Sequence, residues 1–480
     1  MARLVKIDMA GGQNSATASL FMKDNECEIV QNYNMDNLGS LTKRNGIVYL
    51  IGQTVDNMNI LNMFYFKNAQ GTDYSNILVG VNPTGGATSV IKKIATNAWS
   101  NSQTGNTASA IPYFTTFIDY VFRTNGSDVM SSSVDLSSWG TTNCVATVKP
   151  KYCWVWEDRV YTGYDNSTTK YPSRIYWSSL PDITTSTITW NATTQYADIN
   201  PDDNDEITWG EPFGKVSLIF KNKAIYRWTF GQVEADKMPG VQGTPQGLTV
   251  KQTQGMCFWA NKYGVFALTS PSGTPQLISQ KMQPFIDQIP SLANMRAEVD
   301  NDHYKLYIGS VTVNNRTYSN AIIVYTLSKK SWHIETYPFA IKAMARMEAI
   351  TIGTTSLFDD IYLGDDDGFV YRTNSGTVDY LGTTAKPIDG RITTKEYVLP
   401  YFPEMTELDK LWFVSQKAKG TKVNYRLNRR DWIAWKDLDE RITSSKISGK
   451  GETIQFELTD NSRTTSSLEG FVLDSKEKPK

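Results

Sequence analysis

The chain has 480 residues, 40% of them hydrophobic and 12% aromatic, so it is long enough to bury two or three separate cores. Lysine and arginine number 48 against 49 for aspartate and glutamate, a formal net charge of −1. This balance excludes a chain-wide electrostatic attraction to nucleic acid or to anionic membranes. The four cysteines are scattered without a CxxC pair, which supports neither a zinc knuckle nor a disulfide framework.

The first segment, residues 1–46, is predicted to be an extended N-terminal arm. Its glycine-rich beginning leads to the polar string NYNMDNLGS, which Lys43 and Arg44 follow. This composition favours an extended segment over a packed domain. The first apolar run is broken at Asp8, and no later window approaches about 18 apolar residues, so we expect a soluble chain made in a cytoplasm.

Residues 47–385 are predicted to form an irregular β-propeller. Short aromatic or β-branched runs alternate with polar turns, most clearly between Tyr152 and Phe230, as in YCWVWEDRVYTGYDN and EITWGEPFGKVSLIFKNKAIYRWTFG. Runs of this length, bounded by Asn, Asp, Gly, Ser and Pro, are typical of antiparallel strands joined by tight turns. Such sheets must hide their edges, so sandwiches, barrels and propellers are the available architectures.

Tryptophan spacing indicates an internal repeat. Trp99, Trp139, Trp190 and Trp332 each follow a polar residue near a predicted strand end, at intervals of 40, 51 and 142 residues. The last interval is close to three repeats, and propeller blades recur about every 40 to 50 residues. The spacing favours a propeller of about six to eight blades, with an array of sandwiches as the alternative.

The last segment, residues 386–480, is predicted to be a small C-terminal β-domain with a polar tail, because charged and apolar residues alternate along it. Arg429 and Arg430 stand beside Trp432 and Trp435, a grouping that can stack on nucleic-acid bases. Alternation of aromatic and basic residues on a half-exposed strand is the more ordinary interpretation.

Histidine limits the available chemistry. The chain contains only His303 and His333, both in strand-like surroundings. Two histidines cannot form a His-rich metal site, and a Ser/His/Asp triad would have to use one of them. We expect each to be a structural histidine with its hydrogen bonds satisfied at a strand edge.

Carboxylates offer two further candidates. The acidic run DINPDDNDE has enough oxygen ligands for Ca²⁺, but a solvated loop that protects a strand edge is favoured. It contains Asp198, Asp202, Asp203, Asp205 and Glu206. Asp365, Asp366, Asp367 and Gly368 resemble the start of an EF-hand loop, yet Gly376 stands where the bidentate Glu is needed, so a hairpin turn is predicted.

A carboxylate-dependent glycosidase would need two facing acids that the sequence cannot single out. We assign no catalytic, cofactor-binding or metal-binding residue, and we expect neither a cofactor nor enzymatic activity.

A spaced pattern runs through the N-terminal segment and into the strand-rich region. A glycine pair, Gly11 and Gly12, is followed by Asn-x-x-x-Asp-x-x-Gly-x-Leu-x-x-Arg-x-Gly. Its positions are filled by Asn32, Asp36, Gly39, Leu41, Arg44 and Gly46. The stretches RVYTGYD, RIYWSSLPD, FGKVSLIFKNKAIYRWTFG, GVFALTSPSGTPQLISQKMQPFID and YLGDDDGFVYR continue it. Across residues 10–375 the chain resembles the β-propeller tail proteins of bacteriophages, in particular the tail tubular protein B, or tail nozzle, class of short-tailed phages.

The resemblance implies a structural role in the virion. Proteins of this class assemble as rings, usually hexamers, at the distal end of the tail, below the adaptor ring, and form a conduit through which DNA leaves. The implied partners are other copies of the chain, the adaptor or portal-proximal ring protein, tail fibres, and genomic DNA that passes without sequence-specific binding. Assembly in the host cytoplasm and no stable membrane insertion are implied as well.

Other roles stay open, because proteins of the nozzle class are often longer than this chain. The alternatives are a propeller-type neck, hub or minor tail protein, a receptor-binding or lectin-like tail module, and, less favoured, the carboxylate-dependent glycosidase.

Overall fold

The computed structural model describes the backbone of residues 2–6 and, in full, residues 9, 11–35, 39–51, 54–55, 58–67, 76–82, 88–182, 184–232, 234–240, 242–352, 354–400 and 402–476. Within these ranges the α-helical content is a single turn, α1 (Gln283–Ile286). Five 3-10 turns occur at Ser19–Phe21, Pro201–Asp203, Gly247–Thr249, Gln280–Met282 and Leu292–Asn294. The predicted all-β class is confirmed. None of the described helices has the length and apolar character needed to cross a membrane.

Six short strands come first along the chain: β1 (Ala2–Lys6), β2 (Gly12–Gln13), β3 (Glu26–Gln31), β4 (Tyr33–Met35), β5 (Leu41–Lys43) and β6 (Val48–Tyr49). Five antiparallel sheets then follow in chain order. Sheet 1 contains β7 (Asn59–Phe66), β8 (Asn76–Asn82), β9 (Thr88–Ala95) and β10 (Ala98–Thr107), and sheet 2 contains β11 (Tyr113–Phe117), β12 (Tyr120–Thr124) and β13 (Ser131–Ser133). Sheet 3 contains β14 (Pro150–Trp156), β15 (Arg159–Asp165), β16 (Tyr171–Trp177) and β17 (Tyr196–Asp198). Sheet 4 contains β18 (Ile207–Phe213), β19 (Val216–Lys221), β20 (Ile225–Trp228) and β21 (Asp236–Lys237), and sheet 5 contains β22 (Lys251–Thr253), β23 (Met256–Asn261), β24 (Gly264–Leu268) and β25 (Gln276–Leu277).

Two more sheets have the same serial order but recruit strands from elsewhere. Sheet 6 contains β26 (Arg296–Val299), β27 (His303–Val313), β28 (Arg316–Thr326) and β29 (Ser331–Thr336). Sheet 7 contains β30 (Ala343–Met347), β33 (Asp360–Gly364) and β34 (Val370–Arg372), with the N-terminal strand β6 as its fourth member. A separate hairpin, β31 (Ile350–Ile352) and β32 (Thr355–Leu357), lies between β30 and β33, and a second one, β35 (Asp379–Leu381) and β36 (Thr384–Lys386), follows sheet 7.

Local turn chemistry explains the hairpins. Glu157 and Asp158, between β14 and β15, both have positive φ, 44° and 53°. Asn314 and Asn315, between β27 and β28, also have positive φ, 50° and 59°. Two consecutive positive φ values are the signature of a type I′ turn, whose twist matches that of the flanking strands. These turns bring sequential strands into antiparallel pairs.

The first strands of most neighbouring sheets pack against one another. Packing contacts join β7 to β11, β11 to β14, β14 to β18, β22 to β26 and β26 to β30, and β30 also contacts β7. The first strands begin at residues 59, 113, 150, 207, 251, 296 and 343, a mean spacing of about 47 residues. The seventh sheet therefore packs against the first.

Each of the four regularly spaced tryptophans lies on the side of its sheet that is opposite the first strand. Trp99 is in β10 and Trp332 is in β29. Trp139 precedes Gly140, which forms an isolated bridge to Ser132 in β13, and Trp190 bridges Ser178 at the end of β16. The spacing thus reflects a repeated position in sheets 1, 2, 3 and 6.

Nine strands complete the chain: β37 (Gly390–Thr394), β38 (Tyr397–Val398), β39 (Thr406–Gln416), β40 (Thr421–Leu427), β41 (Ile433–Leu438), β42 (Ile442–Lys446), β43 (Lys450–Gly451), β44 (Thr453–Asp460) and β45 (Ser467–Ser475). Sheet 6 continues from β29 through β3, β37, β44 and β40 to β41, and we call this extended array the composite sheet. The C-terminal sheet has the order β4, β5, β45, β39, β42. The two share a core that includes Leu41, Phe413, Phe456 and Phe471.

The segment predicted as an arm contributes to both of these sheets. β3 lies between β29 and β37, and its Val30 is fully buried. β4 and β5 pair with each other, and β5 also pairs with β45. The sequence does not reveal this placement because the partner strands are remote in the chain. The three-part division at residues 46 and 385 stays a prediction.

Candidate functional site at the N-terminal junction

Three residues of the N-terminal pattern, Asn32, Arg44 and Gly46, lie where β3, β4 and β5 meet the end of sheet 6 and the hairpin of β35 and β36. We call the cluster of Asn32, Arg44, Gly46, Thr336 and Asp379 the N-terminal junction. Asn32 and Arg44 belong to the N-terminal segment, and their hydrogen-bond partners Thr336 and Asp379 are more than 300 positions further along the chain. The junction therefore joins distant parts of the sequence.

Asn32 cross-links three chain segments. Its Nδ2 donates to Thr336 Oγ1 at 2.9 Å and to the Asp389 carbonyl at 2.8 Å. Its Oδ1 accepts from the Thr336 amide and from Arg44 Nε, both at 2.9 Å. Asn32 also has a φ of 59°, a conformation that asparagine tolerates better than most residues. Both its backbone and its amide group suit this position.

Arg44 forms the central ion pair. Its Nη1 donates to Asp379 Oδ1 at 2.8 Å and its Nη2 to Oδ2 at 2.5 Å, a bidentate arrangement. Nη2 also donates to the Thr336 carbonyl at 2.8 Å, and the guanidinium lies 4.5 Å from the centroid of the Tyr337 ring. Burial lowers the pKa of Arg44, but the charge and hydrogen bonds of Asp379 together with Tyr337 and Glu335 outweigh it, so the pKa lies above its ordinary value. The pair is buried.

Two glycines of the pattern allow close backbone approach. A Cβ on Gly46 would lie 1.8 Å from the Val378 carbonyl oxygen. A Cβ on Gly12, whose φ is 71°, would lie 2.7 Å from the Trp332 carbonyl oxygen. Any side chain at either position would force the backbones apart. Leu41 is fully buried in the shared core, and Asp36 lies outside the described residues.

A charged network continues from the junction into sheet 6. Tyr337 Oη donates to Glu335 Oε2 at 2.7 Å, and Lys305 Nζ donates to Glu335 Oε1 at 3.1 Å. Burial raises the pKa of Glu335, but Lys305 and the surrounding groups lower it well below the ordinary value. Glu335 is therefore ionised across the physiological range, and the network has a structural role.

The two histidines differ from each other. His303 Nδ1 lies 2.9 Å from Asp300 Oδ1 at the start of β27, as expected for a satisfied histidine at a strand edge. His333 lies within β29 and is completely buried. Neither of its ring nitrogens has a hydrogen-bond partner among the described residues, so the expectation of satisfied hydrogen bonds is wrong for this residue. Burial lowers the pKa of His333, which keeps it uncharged at neutral pH.

Two carboxylates of the acidic run near residue 200 are bonded to side chains of neighbouring strands. Asp203 accepts hydrogen bonds from Lys221 Nζ at 2.8 Å and from Tyr226 Oη at 2.8 Å. Asp198 forms a bidentate pair with Arg174, with both distances at 2.7 Å. Across the described residues no group of three or more His, Cys, Asp or Glu side chains is arranged to hold a metal ion. Asp198 thus links β17 to β16 within sheet 3, and Asp203 fastens the turn Pro201–Asp203 to sheet 4.

The aspartates near residue 366 form the predicted hairpin turn. Asp365 Oδ1 accepts from the Phe369 amide at 2.7 Å, and Asp365 Oδ2 accepts from Tyr371 Oη at 2.9 Å. Gly368 has a φ of 91° within the connection from β33 to β34. Burial raises the pKa of Asp365 to about 6.

The neighbouring aromatic and basic residues of the C-terminal region contact different partners and do not form one surface. Arg429 Nε pairs with Glu396 at 2.8 Å, and Trp432 stacks under Arg426 at 4.6 Å. Trp435 packs 5.8 Å from Phe413 and donates to the Lys446 carbonyl at 3.1 Å. The arrangement is that of a half-exposed hairpin rather than of a base-stacking platform.

A second buried ion pair, beside the junction, was not predicted from the sequence. Lys43 Nζ donates to Asp460 Oδ1 at 3.2 Å and to the Ser462 carbonyl at 2.8 Å. Lys395 Nζ similarly donates to the Met22 carbonyl at 2.8 Å. The adjacent residues Lys43 and Arg44 could have indicated this ion pair, since two basic residues close to predicted strands need either buried partners or contact with solvent.

Comparison with known proteins assigns no family. No family model matches the sequence, and no match with a curated protein was found. The extracellular domain of a protein described as a hybrid two-component system, from B. thetaiotaomicron, has a TM-score of 0.40 and 9% identity over 82% of this chain and 48% of that one. The chain thus spans about half the length of that domain. YCF48 bound to a D1 peptide has a TM-score of 0.39 and 10% identity over 69% of this chain and 96% of that one.

Proposed function

We propose that this protein is a structural protein of a bacteriophage tail, similar to the nozzle class. Sheets 1 to 7 form a closed seven-bladed β-propeller, and the composite and C-terminal sheets form a β-sandwich fastened to it. Copies of the chain assemble as a hexameric ring, and DNA leaves the virion through this ring. The adaptor ring and tail fibres are its neighbours.

Two contacts support a closed propeller. The first strand of sheet 7, β30, packs against the first strand of sheet 1, β7. The outermost strand of sheet 7 is β6, which comes from before sheet 1 in the chain. Pairing the beginning of the chain with the last blade ties the ring of sheets together and leaves few open edges.

The observation that carries the tail assignment is the N-terminal pattern itself. In the N-terminal junction, Asn32 and Arg44 form buried hydrogen bonds, and Gly46 allows a close approach of two backbones. A chain that keeps this pattern therefore keeps the link between propeller and sandwich. Because architecture alone does not specify function, the role in a tail depends on the resemblance to tail proteins.

An exposed apolar group supports self-assembly. Phe21 is 78% exposed, and Val398, Phe402 and Met405 are 42%, 50% and 55% exposed. We call these four residues the apolar patch. Ser19 Oγ accepts from the Glu396 amide at 2.8 Å, and Lys395 Nζ donates to the Met22 carbonyl, so Phe21 lies beside the segment that holds the other three. Clustered exposed apolar residues mark interaction surfaces. In a ring, such a patch meets a different surface of the next copy.

Light scattering and negative-stain imaging of the full chain, alone and mixed with tail-less particles, test the proposal. We expect rings, or density added at the tail tip. The variant Phe21→Ser/Met405→Ser should stay folded but lose the rings. The matched control Leu180→Ser/Tyr263→Ser removes side chains that are 56% and 47% exposed outside the patch, and it should still form rings.

Two results would contradict the proposal in different ways. A wild-type monomer that ignores the particles would refute the ring and favour the sugar-binding or sugar-cleaving alternatives, which a glycan screen would then separate. Rings that survive the patch variant would leave assembly intact and refute the apolar patch as its interface.

A further inference from the structure

A cavity of about 600 Å³ lies among the first strands of the sheets. Its walls include Asn62 from β7, Tyr113 from β11, Trp209 from β18, Lys251 from β22, Arg296 from β26 and Met344 from β30. Six of the seven sheets thus contribute to it. Its volume falls within the range of about 300 to 1,000 Å³ that is typical of small-molecule sites.

Most charged groups in this cavity have a partner of opposite charge. Lys251 Nζ lies 2.9 Å from Glu298, and Arg346 Nε lies 3.0 Å from Asp359. Glu348 is paired with Lys67 at 2.5 Å. Because Lys67 is not among the residues that line the cavity, the lining side chains carry three positive charges, on Lys251, Arg296 and Arg346, and three negative ones, on Glu298, Glu348 and Asp359.

Arg296 is the exception. Its side chain is buried, its Nε donates to the Lys342 carbonyl at 3.0 Å, and its Nη1 donates to the carbonyls of Ala293 and Met295 at 2.9 Å and 2.8 Å. Among the described residues, Nη2 has no hydrogen-bond partner and Arg296 forms no ion pair with a carboxylate. The carbonyls fix the guanidinium in place but supply no negative charge.

A buried cation without a counter-charge is costly. Burial lowers the pKa of Arg296, yet an arginine side chain stays protonated in proteins. An anion entering the cavity would supply the missing charge and accept a hydrogen bond from Nη2. Because Nε and Nη1 are already used, the site offers the two N–H groups of Nη2 alone rather than the fork formed by two nitrogens.

Part of the cavity wall is aromatic and apolar. The rings of Tyr113 and Trp209 lie 5.9 Å apart, and Leu248 and Met344 also face the cavity. Such a wall favours a ligand with an apolar body. We propose that the cavity binds a small organic carboxylate, with one carboxylate oxygen on Arg296 Nη2 and the apolar part against Tyr113 and Trp209. This site is independent of the proposed role in a tail.

Ligand-observed NMR titration of the full chain tests the site with benzoate as the probe. Benzamide has the same shape without the charge, and inorganic phosphate has charge without an apolar body. We expect benzoate to bind at least about tenfold more tightly than benzamide, and phosphate to bind more weakly than benzoate. Arg296→Gln should weaken benzoate binding about tenfold and leave benzamide binding unchanged.

A second variant covers the case in which Arg296→Gln fails to fold. Leu248→Trp fills the cavity without removing the guanidinium, and it should weaken both benzoate and benzamide. Equal affinity for benzoate and benzamide, or benzoate binding that survives both variants, would overturn the proposal. Phosphate binding in preference to benzoate would also overturn it, because the ligand would then need no apolar part.

Discussion

Replacing Arg44 by methionine removes the central charge of the N-terminal junction while keeping a side chain of similar length. The change deletes both hydrogen bonds to Asp379 and those to Asn32 and Thr336. It also leaves the Asp379 carboxylate buried without a cationic partner. Breaking a buried ion pair in this way costs about 3 to 5 kcal/mol. We expect the free energy of local opening at the junction to fall by that amount.

Hydrogen exchange measured by mass spectrometry is the appropriate assay, because a chain with several sheets need not unfold in one step. A loss of about 3 to 5 kcal/mol accelerates exchange by roughly two to four orders of magnitude. The acceleration should appear in peptides covering β3 to β5 and the β35–β36 hairpin. In the double variant Arg44→Met/Asp379→Leu no unpaired charge remains, so its exchange should be slower than that of Arg44→Met alone.

Lys67→Met is the matched control, since Lys67 and Glu348 form a pair whose side chains are 61% and 57% exposed. An exposed pair contributes at most about 1 kcal/mol, so exchange in β7 should change by no more than about fivefold. If Arg44→Met accelerates exchange no more than this control does, or if the double variant exchanges as fast as the single one, the buried pair does not hold the junction.

Three further predictions concern single groups. Because burial raises the pKa of Asp365 to about 6, the folded chain binds more protons than the unfolded chain between about pH 4 and pH 6. Stability should therefore fall as pH rises through this window, and thermal unfolding of Asp365→Asn should lack that fall. Gly46→Ala should cost about 2 to 3 kcal/mol in denaturant unfolding because of its clash with Val378, whereas Gly140→Ala, with its nearest neighbours 4.0 Å away, should cost under about 0.5 kcal/mol. Burial raises the pKa of the Cys27, Cys144 and Cys153 thiols to about 12, so iodoacetamide at pH 8 should label them only after denaturation; rapid labelling of the native chain would contradict their burial.

Much of the local structure follows from neighbouring residues. The hairpin turn at Glu157 and Asp158 and the turn around Gly368 could be predicted because turn residues determine the backbone locally. The spacing of four tryptophans likewise identified a repeated position in sheets 1, 2, 3 and 6. The burial of His333, whose ring nitrogens have no hydrogen-bond partner among the described residues, could not be predicted, because burial depends on which distant strands lie on either side.

Short antiparallel strands, tight turns and the all-β class could be predicted from the sequence alone. The folded structure was needed to show that β6 completes sheet 7, that β3 joins sheet 6 to the C-terminal strands, and that Arg44 pairs with Asp379, 335 positions away. Strands pair through backbone hydrogen bonds, which are the same for every residue type except proline. The choice of partner is then made by the burial of whole sheet faces and by buried charges, and these depend on the complete fold.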